Sequence, residues 1–129
     1  MPDHLIDTHV LIWAFSEPDK LSQTARDIIE KSQDRTFVCA ISAYEIALKH
    51  RLGKLGEAAG WVNVLSRLIH ESGFNPLPVT FDQAQAAAAF VDPHRDPFDR
   101  IIAAQVNDLG IALISRDAKL DLFTDLRRW

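Results

Sequence analysis

The chain has 129 residues, 47% of them hydrophobic, which is enough apolar material for one core and too little for two ordinary domains, so residues 1–129 read as a single domain. Lys and Arg number 14 against 18 Asp and Glu, a formal net charge of −4, which excludes long-range attraction of nucleic acid by the fold as a whole and leaves local basic patches free to contact phosphates. Cys39 is the only cysteine, so an intrachain disulfide is excluded; the opening MPDHLIDTHV lacks the pattern of an export signal, and no apolar run reaches about 18 residues, so a membrane span is not expected and a cytoplasmic location is.

Leu5 and Ile6 open a short strand that ends at Asp7-Thr8-His9, after which Val10, Leu11, Trp13 and Ala14 take up helical spacing. Ser22 caps a second helix through Ser32, and Thr36 to Ala40 form a second strand around the buried Cys39. Ser42 starts a third helix that runs to about Leu52 and stops at Gly53. Trp61, Val62, Leu65, Leu68 and Ile69 mark an amphipathic helix ended by Gly73, and Asn75 to Val79 suit an edge strand because Pro76 and Pro78 donate no ladder bonds. Thr80 with Gln83 makes a capping box for a helix through Val91; Asp96-Pro97 begins a helix that Gly110 closes; Ile111 to Ser115 is a buried strand. Strands alternating with helices predict an α/β/α three-layer domain with a mainly parallel sheet of four or five strands, whose strand C-termini and helix N-termini share one edge.

That edge collects four acids. Asp7 ends the first strand, Glu45 falls in the first turn of the third helix, Asp99 in the first turn of the sixth, and Asp117 follows the IALIS strand. Open parallel sheets bind ligands outside their strand C-termini. Converging carboxylates repel one another unless a cation neutralises them, and an all-oxygen set without zinc-spaced His or Cys suits Mg²⁺, which would support metal-assisted phosphodiester hydrolysis. Each acid also has a structural reading: Glu45 completes a capping box with Ser42, Asp96 and Asp99 suit a helix start, and Asp117 caps the AKLDLF segment. Asp7, inside an apolar strand-to-helix passage, has no capping position to explain it.

In LIDTHVLIWAFSEPDKLS, SAYEIALKHRLGKL, HRDPFDRIIAAQ and ALISRD, in that order, the chain resembles the PIN-domain family, and within it the VapC-type toxins. The resemblance spans essentially the whole length. It implies a Mg²⁺ or Mn²⁺ ribonuclease cleaving single-stranded or looped RNA, with transfer RNA the first candidate target, Asp7, Glu45, Asp99 and Asp117 as catalytic metal-binding acids, and Thr8 and Ser115 as hydroxyls that orient them. It also implies a homodimer and a VapB-like antitoxin partner. Asp96 stands three residues before Asp99 and is read as the helix cap that supports it.

Lys49, Arg51, Lys54, Arg95, Arg100 and Arg116 surround the acids and are candidates for holding RNA phosphates; equally, Lys49 pairs with Glu45 one turn away and Arg100 and Arg116 neutralise neighbouring acids. His9 and His94 lie close enough to shuttle protons. Leu11, Trp13, Phe15 and Leu21, extended by Trp61, offer an apolar surface for an antitoxin peptide, although each alone suits the core. Two other functions stay open: a non-catalytic scaffold binding RNA or protein, and a small-molecule phosphatase, the latter disfavoured because His9 occupies the place of its second Asp.

Overall fold

The structure is a computed structural model that describes residues 3–32, 35–91 and 96–129. At its centre lies β1 (His4–Ile6), paired in parallel with β2 (Thr36–Cys39) on one side and β4 (Ala112–Ile114) on the other; β3 (Asn75–Leu77) and β5 (Arg127–Arg128) add parallel edges, giving the order β3-β2-β1-β4-β5. Pro76 sits in edge strand β3, where a missing amide donor is tolerated. Strand β5 was not expected: two arginines carry no alternation to announce a strand, and their pairing rests on backbone bonds to β4.

The register fixes the two core faces. Leu5 lies beside Phe37 and Leu113, and Ile6 beside Val38 and Ile114, so the pleat sends one row to each side. Ile6, Val38 and Ile114 pack with Val10, Leu11, Ala25, Ile29, Ile46 and Ile69; Leu5, Cys39 and Leu113 pack with Ile102, Ala103, Val106, Leu120 and Phe123. Those residues come from α1 (Thr8–Ser16), α2 (Gln23–Lys31), α3 (Ala40–Arg51) and α4 (Leu65–Glu71) on the first face, and on the second from α6 (Pro97–Leu109), against which α5 (Phe81–Ala89) packs, and from the 3₁₀ turn Ala118–Leu122 with Phe123 after it. This is the expected α/β/α arrangement. Among the described residues no helix is long and apolar enough to cross a membrane.

Most helix ends follow the local chemistry read from the sequence: Ser22 accepts from the Ala25 amide, Thr80 and Gln83 form a reciprocal capping box, Asp96 accepts from Phe98 and Asp99, and Gly110 ends α6 at φ 65°. Two boundaries and one expected surface differ. Helix α3 begins at Ala40, with Cys39 Sγ accepting from Ile41 at 3.4 Å, so Ser42 is not its cap and Glu45 lies beyond the first turn. Gly56–Val64 forms a 3₁₀ segment ahead of α4. Leu11 and Leu21 are core rather than surface, while Phe15 packs against Trp61 and Phe74, so the continuous apolar patch expected along α1 is largely consumed inside the protein.

Candidate acidic site at the strand edge

Asp7 directly follows β1 and is itself the N-cap of α1, its Oδ1 accepting from the Val10 amide at 2.8 Å. The sequence offered no such role for it, because the cap of a helix that starts on a buried strand looks like part of the apolar passage. Only 6% of Asp7 is exposed. Burial pushes its carboxyl up to about 6, against opposing hydrogen bonds from Ser115 and Val10 and the charge of His9; the nearby Asp99 raises it further.

Ser115, fully buried after β4, stands near Asp7, whose raised carboxyl it draws back down, and its Oγ accepts from the Asp117 amide at 3.0 Å. Asp117 caps the following 3₁₀ turn, Ala118–Leu122, through the Lys119 amide. Asp7 and Asp117 line one hollow of about 350 Å³ with His9, Trp13, Arg116 and Ala118. On the other side Thr8 Oγ1 meets Ser42 Oγ at 2.9 Å, both buried, which fastens the start of α1 to the helix carrying Glu45. Ser42 was read as a cap; its buried hydroxyl facing Thr8 is a tertiary contact that spacing along one helix does not reveal. Glu45 is 8% exposed and pairs with Lys49 at 2.9 Å.

Asp99 is held at the start of α6 by Asp96, whose Oδ1 accepts from Phe98 at 2.9 Å and from Asp99 at 3.3 Å. Its neighbour Arg100 reaches backward: Nη1 donates to the carbonyls of Ala87 at 3.1 Å and Phe90 at 2.9 Å, and the guanidinium lies 5.3 Å from the centre of the Phe123 ring. Arg100 therefore pins α6 to the end of α5 and to the segment after Asp117. Arg116 and Arg51 are exposed, whereas Lys49 is partly buried in its ion pair. Arg95 and His94 lie outside the described residues.

Among the described residues no three acidic, His or Cys side chains are clustered as a ready-made metal cage. Mg²⁺ does not require one, since it keeps several waters and is held by one or two carboxylates. The donors fit that mode: Asp7 is a hard oxygen ligand buried at electrostatic cost, with Asp99 close enough to add to its cost and Asp117 on the same hollow. Cys39 offers no softer alternative, because burial pushes its thiol up to about 11.

A PIN domain family model matches residues 4–126, and an acid set outside the C-terminal edge of a parallel sheet is the setting in which that match falls. The chain belongs to the PIN domain family. Ribonuclease VapC22 of Mycobacterium tuberculosis is 31% identical over 122 residues, covering 90% of this chain and 88% of that protein. A toxin-antitoxin complex from Klebsiella pneumoniae contains a chain of similar fold, with a TM-score of 0.66 at 19% identity over 98% of this chain and 97% of that one.

Two outcomes are expected. Asp7→Asn keeps the cap acceptor and removes the ionisable group. The folded pKa of about 6 exceeds the reference 3.8, so wild-type stability is greatest with the acid protonated and falls as pH rises through 6. In metal-free buffer the variant should be more stable than wild type by about 2–3 kcal/mol near pH 8 and equal to it near pH 4; urea unfolding at both pH values checks this, and a more stable wild type at pH 8 would contradict it. Arg100→Met should cost about 2–3 kcal/mol through the two lost carbonyl bonds and the lost ring contact, with Arg100→Lys recovering only part. Equal urea midpoints for all three proteins would refute the brace.

Proposed function

We propose that the protein is a divalent-metal-dependent endoribonuclease, the toxin of a toxin–antitoxin pair, with Asp7, Glu45, Asp99 and Asp117 as its metal-holding acids. The observation that carries this reading is the buried Asp7, which lines one hollow with Asp117 and has Asp99 near enough to raise its carboxyl, at the C-terminal edge of a PIN-family sheet. The name of the mycobacterial relative supports the reaction class, and the complex of similar fold supports an antitoxin as partner.

Mg²⁺, with Mn²⁺ as a substitute, would supply positive charge for the developing phosphate charge and acidify the attacking water. The chain's own groups do the rest. Ser115 holds the turn that carries Asp117, the Thr8–Ser42 contact sets α3 and hence Glu45 against α1, and Asp96 holds the turn that presents Asp99. Lys49 limits repulsion at Glu45. Arg116, Arg51 and Arg95 are the phosphate contacts we assign, while Arg100 braces α6 against the end of α5.

The substrate is single-stranded or looped RNA, with transfer RNA the first candidate, and the reaction takes place in the cytoplasm. We further assign the active form as a homodimer, neutralised by a VapB-like antitoxin that inserts a basic side chain beside Asp7. Because Leu11 and Leu21 are core, the antitoxin would grip the part-buried Trp13, Phe15 and Trp61 rather than the whole apolar run.

Purified protein should cleave RNA in Mg²⁺, stop on addition of EDTA and resume with Mn²⁺. Asp7→Asn should lose activity by at least about a hundredfold while remaining folded, and Asp96→Asn should keep most of it, since Asn also caps helices well. Cleavage that persists in EDTA, or in a folded Asp7→Asn protein, refutes the assignment. Sequencing RNA 5′ ends after brief expression in a bacterium identifies the target. Expression alone should arrest growth, and co-expression with the neighbouring gene product should restore it.

A further inference from the structure

Building on the ribonuclease reading, we propose that Trp13, together with His9, forms a nucleobase subsite beside the acids, so that cleavage occurs at a phosphate whose adjoining base is unpaired and stacked on this wall. His9 and Trp13 are four residues apart on α1, which puts both on one stripe of the helix. Their ring centres are 5.8 Å apart at 47°. Both line the 350 Å³ hollow that holds Asp7, Arg116 and Asp117.

The indole is partly buried, packs against the core and also lines the hollow. Two further side chains flank it. Trp129 lies 6.1 Å from it at 55°, and Lys20 Nζ stands 5.9 Å from its ring centre. An aromatic wall flanked in this way loses little conformational freedom when a base stacks on it. The remaining walls complement a nucleotide: the exposed Arg116 makes no hydrogen bond or ion pair among the described residues and is available to a phosphate, whereas Asp7 and Asp117 alone would repel one. Stacking supplies affinity that does not depend on offsetting that repulsion. A base inside a duplex has both faces covered by its neighbours and cannot reach such a wall, so the subsite selects unpaired nucleotides without reading their identity.

The test uses the Asp7→Asn protein in Mg²⁺, so that RNA is bound and not cut, and a fluorescein-labelled single-stranded RNA oligonucleotide carrying the mapped cleavage site. Anisotropy titration should show Trp13→Ala binding about tenfold more weakly and Trp13→Phe about threefold more weakly. An abasic nucleotide scanned across the cleavage site should cause a comparable loss at one position next to the scissile phosphate, with no further loss when combined with Trp13→Ala. If Trp13→Ala fails a thermal-unfolding check, Trp13→Phe and the abasic scan decide the matter. Unchanged affinity in the folded Trp13 variants, or no sensitive abasic position, overturns the subsite while leaving the nuclease reading intact. A wild-type chain that neither binds nor cuts RNA removes both.

Discussion

The arrangement depends on one costly placement: a carboxylate buried at the junction of the central strand and the first helix. Asp7 lies between the hydrophobic rows that β1 sends to either face, and its ionisation is opposed by that burial. The opposition is moderate: a carboxyl pushed up to about 6 costs about 3 kcal/mol to ionise relative to its ordinary state. Burial of a single large aliphatic side chain contributes about 1.5–3 kcal/mol, and Leu5, Ile6, Val10, Leu11, Leu113 and Ile114 around it are all fully buried. The surrounding core therefore outweighs the penalty at Asp7, and the fold can hold a charge where local physics disfavours it.

A set of polar contacts fixes the elements that carry the acids. Ser115 holds the turn after β4 that carries Asp117, the Thr8 and Ser42 hydroxyls join α1 to α3, and Arg100 joins α6 to α5 and the segment near Phe123. None of these needs a ligand to form. A site assembled in this way loses little entropy when a cation or phosphate arrives.

The sequence made the layered fold legible because its helix ends are explicit: Ser22, the Thr80–Gln83 box, Asp96-Pro97 and Gly110 each act through neighbours a few residues away. Where the stabilising partner was distant, reading failed. Cys39 caps α3 through a weak sulfur acceptor that resembles a strand residue, and Ser42 turns to Thr8, 34 residues away. Strand β5 consists of two arginines recognised only by pairing with β4. The four acids stood out by residue type and by their places at strand ends and helix starts, but the backward turn of Arg100 and the place of Trp13 on the acidic hollow required the tertiary structure.

Capping and chemistry are not competing explanations for these acids. Capping needs an oxygen acceptor and no charge, so Asn would serve at Asp7, Asp96 or Asp117 about as well as Asp. Solvation then separates the three. Asp117 is exposed to water, and Asp96 is partly exposed at a helix start, where the helix dipole favours negative charge. Asp7 is buried, has Asp99 nearby, and carries a charge that both burial and that neighbour oppose. An amide there would cap α1 and avoid the electrostatic cost. An acid at this position is physically intelligible when something that enters the site requires the charge, and under the proposed function a divalent cation would convert the unfavourable carboxylate into a favourable ligand.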